Sequence, residues 1–475
     1  MMKRLIKIDV KKWVCCIVPI LVLSLFWLSS APTGLTVQGW HTLGIFSAVI
    51  LAILMQPLPS GAIMIVGLCV SIITGTFSQK QALAGFSSGI VWLIFSAYIL
   101  SLSFVQTGLG RRFAFAMLSK FGGSALGMGY VLGIADLLIA PATPSVTARS
   151  GGIILPIVNS INSALGSGPG ESGKKIGEYL ILTCFHITPI TGALFLTGMA
   201  ANPLAVSLAS STLNVDIGWL EWFWAASIPL GLCFILLPAL VYQLAKPTMK
   251  KTPQAKQMGK DELAKLGHMS KQEKYLVVIS LLALLGWGTS LVTGLSSTTV
   301  GLTIAALIFI ANVIDWKIVL KDSAAWDTLI WFGAIISLAS GLSEQGVIGW
   351  MTSHLSTQFS NDNGILAFVV LGLVYVYIHY FFATATGHVA ALYPMFIAIA
   401  VTAGAPPVLV AIGLGILGNL MWGLTEYGGG PGPLYYAQGF FSRPQFYRYN
   451  LYIVTVNVLI TLVIGLIWWK VIGLW

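Results

Sequence analysis

Apolar runs of about 17–25 residues recur along nearly the whole chain, each long enough to cross a hydrocarbon core of about 30 Å as a helix. Backbone amides inside lipid must find partners within the protein, which leaves helices and closed barrels as the spanning elements, and runs of this length select helices. About eleven spans are expected, beginning near Trp13, Trp40, Gly61, Gly89, Gly177, Trp219, Tyr275, Ser297, Asp327, Pro407 and Tyr449. Two further apolar stretches, about 124–165 and 364–401, are broken at their midpoints by polar and small residues and read as re-entrant helical hairpins. The expected fold is therefore an all-α polytopic membrane protein. Composition agrees, because only 8% of residues are charged where a soluble domain carries about a quarter.

Lys3, Arg4, Lys7, Lys11 and Lys12 precede the first apolar run. Trp13 to Ser30 is longer than the core of a signal peptide and no clear small-x-small site follows, so it reads as a first transmembrane helix. Cys15, Cys16, Cys69, Cys184 and Cys233 lie in apolar segments without metal-like spacing and imply neither disulfide nor metal.

The formal net charge of +10 is topological rather than a nucleic-acid footprint. Counted from a cytoplasmic N-terminus, 22 of the 25 basic residues fall in the segments expected inside, eight of them lysines of the polar loop Lys246 to Lys274. The positive-inside rule then places the N-terminus in the cytoplasm and the C-terminus outside.

That loop divides the chain into similar halves. Ser145, Thr147 and Arg149 shift by 239 onto Thr384, Thr386 and His388, and GIVWLIFSAYILSLSFVQTGLG resembles DTLIWFGAIISLASGLSEQGVIG at nearly the same offset. The expected organisation is an N-terminal segment with the first helix (1–39), a first repeat (40–245), a linker (246–274) and a second repeat (275–475) of inverted topology. Each repeat also holds a helix rich in glycine and proline, about 177–210 with LTGMAANPL and about 407–440 with LTEYGGGPGPL, read as broken. Two hairpin tips and two broken helices are expected to converge on one central site.

Arg149 and His388 are the sharpest features, since charge at membrane depth faces a cavity or a partner. One reading of Arg149 is a structural pairing, for example with Asp136; the other sets Arg149 and His388 across a pseudo-two-fold axis to receive the two carboxylates of a substrate. Ser145, Thr147, Thr384 and Thr386 would donate hydrogen bonds to carboxylate oxygens, beside the positive ends of half-helices. Asn202 either bonds the substrate or caps a helix, Thr425 lies in the second broken segment, and Glu426 is open between cation ligand, proton carrier and partner of a basic residue. His186 and His379 read as structural.

At PSVTARSGG, LTGMAANPL and LTEYGGGPGPL the chain resembles the divalent anion:sodium symporter family, and within it the branch of plastid 2-oxoglutarate/malate translocators and bacterial citrate/succinate and tartrate/succinate antiporters. The resemblance implies a homodimer with a scaffold and a moving transport domain, working as an elevator. Sodium-using members carry Ser-Asn-Thr at each tip; here Val146 and Ala385 stand in the asparagine positions, which weakens an oxygen-rich cation site. The expectation is cation-independent exchange of C4 to C5 dicarboxylates across the inner membrane, with no metal or cofactor. The alternatives are a sodium- or proton-coupled symporter and an anion channel. No nucleophile–base pair, metal-ligand cluster or nucleotide-binding glycine loop occurs at usable spacing, so an enzyme is not expected.

Overall fold

The computed structural model describes residues 10–356 and 363–475, and the described residues are helical apart from their connections and one isolated bridge between Ser124 and Lys251. Lys3, Arg4 and Lys7 lie outside them. Every expected span start falls in or at the edge of a helix, from Trp13 in Val10–Leu28 to Tyr449 in Arg443–Val471. By length and composition nine helices among the described residues are able to cross a membrane. Three more apolar helices, Val14–Leu28, Ser60–Ile73 and Ser297–Ile310, are shorter.

Packing sorts the helices into two groups. Val10–Leu28, Val37–Met55, Ser60–Ile73, Gly89–Thr107, Lys271–Gly288, Ser297–Ile310 and Ser323–Glu344 pack in a chain of neighbours. The second group joins Ala125–Ile139, Gly177–Leu194, Ala201–Leu213, Trp219–Ala245, Ala385–Thr402, Pro407–Leu420 and Arg443–Val471. Helix Ala201–Leu213 touches both groups, packing on Ala385–Thr402 and on Ser323–Glu344.

The four interruptions lie where glycine, proline and polar residues accumulate. Ala125–Ile139 runs into a short 3-10 turn, leaves helical geometry at residues 143–145, and resumes as the π-helix Thr147–Ile154 followed by Leu155–Ala164. Gly364–Tyr377 ends in the turn Ile378–Phe381, and Ala385–Thr402 begins after three intervening residues. Gly177–Leu194 breaks at extended Phe195 and Met199 before Ala201–Leu213, and Pro407–Leu420 breaks at extended Thr425 before Pro431–Tyr436.

The linker is not the open loop that its polarity suggests. Pro253–Leu266 is a helix laid along Leu109–Phe121, close enough that a Cβ on Gly259 would overlap the Ser119 backbone. Arg112 donates to Glu273 at 2.6 Å and to the carbonyls of Leu266 and Gly267. Residues 248–252 exchange backbone bonds with Lys174, Lys175, Gly123 and Ala125.

Candidate substrate site

Both tips are closed by the same device at the 239-residue offset. Ser145 Oγ accepts the Ala148 N–H at 3.2 Å, and Thr384 Oγ1 accepts the Gly387 N–H at 3.0 Å. Each hydroxyl caps a helix start with its oxygen, which leaves its proton for another acceptor. The Tyr98 hydroxyl interacts with Ser145 of the first tip and accepts from Thr328 of Ser323–Glu344 at 3.2 Å. Tyr98, Thr328 and Ser60 then line a cavity of about 160 Å³ with Thr384, Thr386 and Asp327. Asp327 accepts the Gly61 N–H at 3.2 Å, holding the start of Ser60–Ile73 at the cavity edge. Thr147 is exposed and lies against Gly430 of the second broken segment, where a Cβ would overlap its hydroxyl.

Of the ten expected site residues only Thr384 and Thr386 line this cavity; Ser145, Val146, Thr147, Arg149, Asn202, Ala385, His388 and Thr425 do not. Arg149, Asn202, His388 and Thr425 are fully buried. Arg149 Nε donates to Asp136 at 3.1 Å, Nη1 to the carbonyls of Thr143 and Gly198, and Nη2 to the Thr188 carbonyl and the Thr191 hydroxyl. A guanidinium has five N–H donors, and all five are used. In this structure Arg149 thus takes the pairing with Asp136 and has no donor left for a substrate carboxylate.

Asn202 is committed in the same way. Its amide donates to the Gly192 and Phe195 carbonyls at 2.9 and 2.8 Å, bridging the break in its own helix. Its oxygen accepts from Asn419 at 2.6 Å, joining the two repeats. Val146 and Ala385 are buried apolar positions behind the tips. Glu426 pairs with Arg443 at 2.5 Å, which selects the basic-partner reading among its three. His186 meets Asn450 at 2.9 Å.

The second repeat solves the same packing problem with neutral groups. Asp136 shifted by 239 is Tyr375, whose ring stands edge-on to His388 with centroids 4.5 Å apart. Ala140 shifted likewise is His379, and its Nε2 lies 3.0 Å from the Gly428 carbonyl. The Gly198 carbonyl is thus held by Arg149 in one repeat, and a broken-segment carbonyl of the other repeat is held by His379. Sequence reasoning missed Tyr98, Thr328, Ser60 and Asp327 as cavity residues, although Tyr98 and Asp327 sit in the paired segments quoted above; polar residues recurring within otherwise apolar spans were the available signal.

The chain matches the family model of the sodium:sulfate symporter transmembrane region over residues 10–475. It belongs to this family. The family is the divalent anion:sodium symporter group that the motifs resemble, so the chain is an integral membrane transporter. It is 40% identical over 95% of its length to the chloroplastic dicarboxylate transporter 1 of Spinacia oleracea, covering 80% of that protein. It is 39% identical over 95% of its length to the Arabidopsis thaliana protein of the same name, covering 82% of it. The Escherichia coli inner membrane protein YbhI is 35% identical, with 94% of each chain covered. The solved Alcanivorax borkumensis YdaH transporter superposes with a TM-score of 0.57 over 98% of both chains at 10% identity, a likeness of fold alone.

Proposed function

We propose that the protein exchanges C4 to C5 dicarboxylates, such as malate, succinate, fumarate and 2-oxoglutarate, across the bacterial inner membrane without a coupling cation. The chloroplastic relatives are named dicarboxylate transporters and YbhI an inner membrane protein, which supports the substrate class and the location. The substrate is held by the tip hydroxyls Ser145, Thr147, Thr384 and Thr386 and by the two helix starts that Ser145 and Thr384 cap. Arg149 acts from behind the tip.

One observation carries the claim of cation independence. Three carbonyls, a hydroxyl and a carboxylate converge in the first repeat, the oxygen set that a bound cation needs, and the Arg149 guanidinium already fills it. A positive group that never leaves has no need of sodium as a replacement. Asp136 neutralises Arg149, so the barrier to moving the empty carrier comes from desolvating two hydroxylated tips and two helix N-termini with no ligand to bond. Movement of the second helix group against the first would carry the site across in an elevator step, in a homodimer.

Vesicles loaded with succinate should take up labelled succinate in sodium-free buffer, and empty vesicles should take up little. Sodium-driven uptake into empty vesicles at the exchange rate would favour the symporter instead.

A further inference from the structure

His379 and His388 form a buried pair in the second tip, with Nδ1 facing Nδ1 at 3.2 Å. The hydrogen bonds determine the tautomers. His379 Nε2 faces the Gly428 carbonyl, which only accepts, so the His379 proton sits on Nε2 and its Nδ1 is a lone pair. His388 must then donate from Nδ1, and its Nε2 is left as a lone pair; that atom is buried and has no hydrogen-bond partner among the described residues. The chain of bonds therefore runs from His388 through His379 to Gly428 and ends in one open basic nitrogen.

Among the described residues the helices packed on this pair carry no fixed countercharge, and the one carboxylate of the adjoining cavity, Asp327 of Ser323–Glu344, accepts the Gly61 N–H. Ala385–Thr402 packs against Val37–Met55, Ala201–Leu213, Val347–Ser356, Gly364–Tyr377 and Pro407–Leu420. Their titratable groups are His41, His354, Tyr375 and Tyr377, joined by His379 and by Tyr393 of the same helix, and none is a carboxylate, lysine or arginine. The first repeat differs, since its cation is permanent and already neutralised by Asp136. Gly387, next to His388, lines the cavity with Thr384 and Thr386.

We propose that this pair is a single-proton site: a dicarboxylate bound at the tips draws one proton from water onto His388 Nε2, and His379 is the positioning residue that fixes the tautomer and accepts the Nδ1 proton bond. The proton returns to water when the substrate leaves, and because one-for-one exchange carries one proton in each direction, none moves net and no cation gradient drives transport. The physical reason is that burial disfavours an imidazolium without an anion nearby, and the substrate supplies that anion. This rests on the dicarboxylate reading of the same site.

The test is calorimetric titration of the purified protein with fumarate in buffers of differing ionisation enthalpy between about pH 6 and 8, the range in which histidine changes charge. Wild type should take up close to one proton per fumarate at the upper end, with affinity falling up to about tenfold per pH unit. His388→Gln should bind without uptake. His379→Gln keeps a donor for Gly428 and an acceptor for His388, and should retain uptake; His379→Phe should lose most of it. Fumarate binding and exchange with no proton uptake by wild type would overturn the proposal and leave the transport reading standing, and this arm requires no variant to fold. Absence of both binding and exchange would overturn the transport reading and the proposal with it.

Discussion

A guanidinium away from water requires acceptors for all its protons, and Arg149 finds them within its own repeat. Asp136, Thr143 of the tip, and Thr188, Thr191 and Gly198 of the first broken helix meet there, so Arg149 fixes the tip to the break. The pairing with Asp136 was one of two readings open in the sequence, but a separation of thirteen residues across a hairpin does not say which side chains meet. Asn202 was ambiguous for the same reason: an amide serves a ligand and a helix break equally well, and only the placement of Gly192, Phe195 and Asn419 decides. The tip hydroxyls were legible, because hydroxyl residues before a helix start have a local reason to be there. Arg149→Ala should leave the Asp136 carboxylate buried and uncompensated, at a cost of about 3–5 kcal/mol. The double variant Arg149→Ala, Asp136→Ala should recover part of that stability. Denaturation of the purified proteins as a double-mutant cycle reads this out, and simple additivity of the two losses would mean that the charges do not support one another.

Span positions were legible because hydropathy over a helix length is a local property. The linker helix Pro253–Leu266 was missed because its polar residues dominate any average. Its signal was periodicity: Ala255, Met258, Gly259, Glu262, Leu263 and Leu266 recur at three- and four-residue spacing behind Pro253. This face meets Leu109–Phe121, and the joint is the Arg112–Glu273 pair, whose side chains are 12% and 6% exposed. Burial would push the Glu273 carboxyl up; Arg112 and the Ser270 N–H outweigh it and hold the group below its usual value. A lowered carboxyl contributes stability above its unfolded value and loses it as pH falls through the folded one. Protection of the linker from trypsin should therefore be the same at neutral pH and at about pH 5. Glu273→Ala should expose the linker lysines to much faster cleavage, whereas Lys265→Ala, at a side chain 72% exposed, should leave the rate at the remaining sites unchanged. Equal rates in Glu273→Ala and wild type would show that the helix is held by its apolar face alone.

At the scale of the whole molecule, the segments sorted by charge are also sorted in space. Thr248 and Met249 bond to Lys174 and Lys175, Arg111 pairs with Glu262, and Arg112 with Glu273, so three basic segments expected inside lie on one face. The segments expected outside meet one another too: Trp350 donates to the Thr33 carbonyl, Gln81 to Glu344, and Thr298 to the carbonyl of Gly89. The geometry groups these segments without saying which face is which, and the lysine-rich linker supplies the sign. Ser124 and Lys174, which flank the first hairpin, lie on the face of the linker, through the Ser124–Lys251 bridge and the Thr248 N–H bonded to the Lys174 carbonyl. On this orientation we propose that the repeats are inverted and that each tip is reached from a different side. The test is a cysteine-accessibility scan in a background with Cys15, Cys16, Cys69, Cys184 and Cys233 replaced. A cysteine at Lys256 should react only after the membrane is permeabilised, and cysteines at Thr33, Gly294 and Trp475 should react in intact cells. Labelling of Lys256→Cys and Trp475→Cys from the same side would require an even number of crossings between them, and the inverted relation of the two tips would be lost with it.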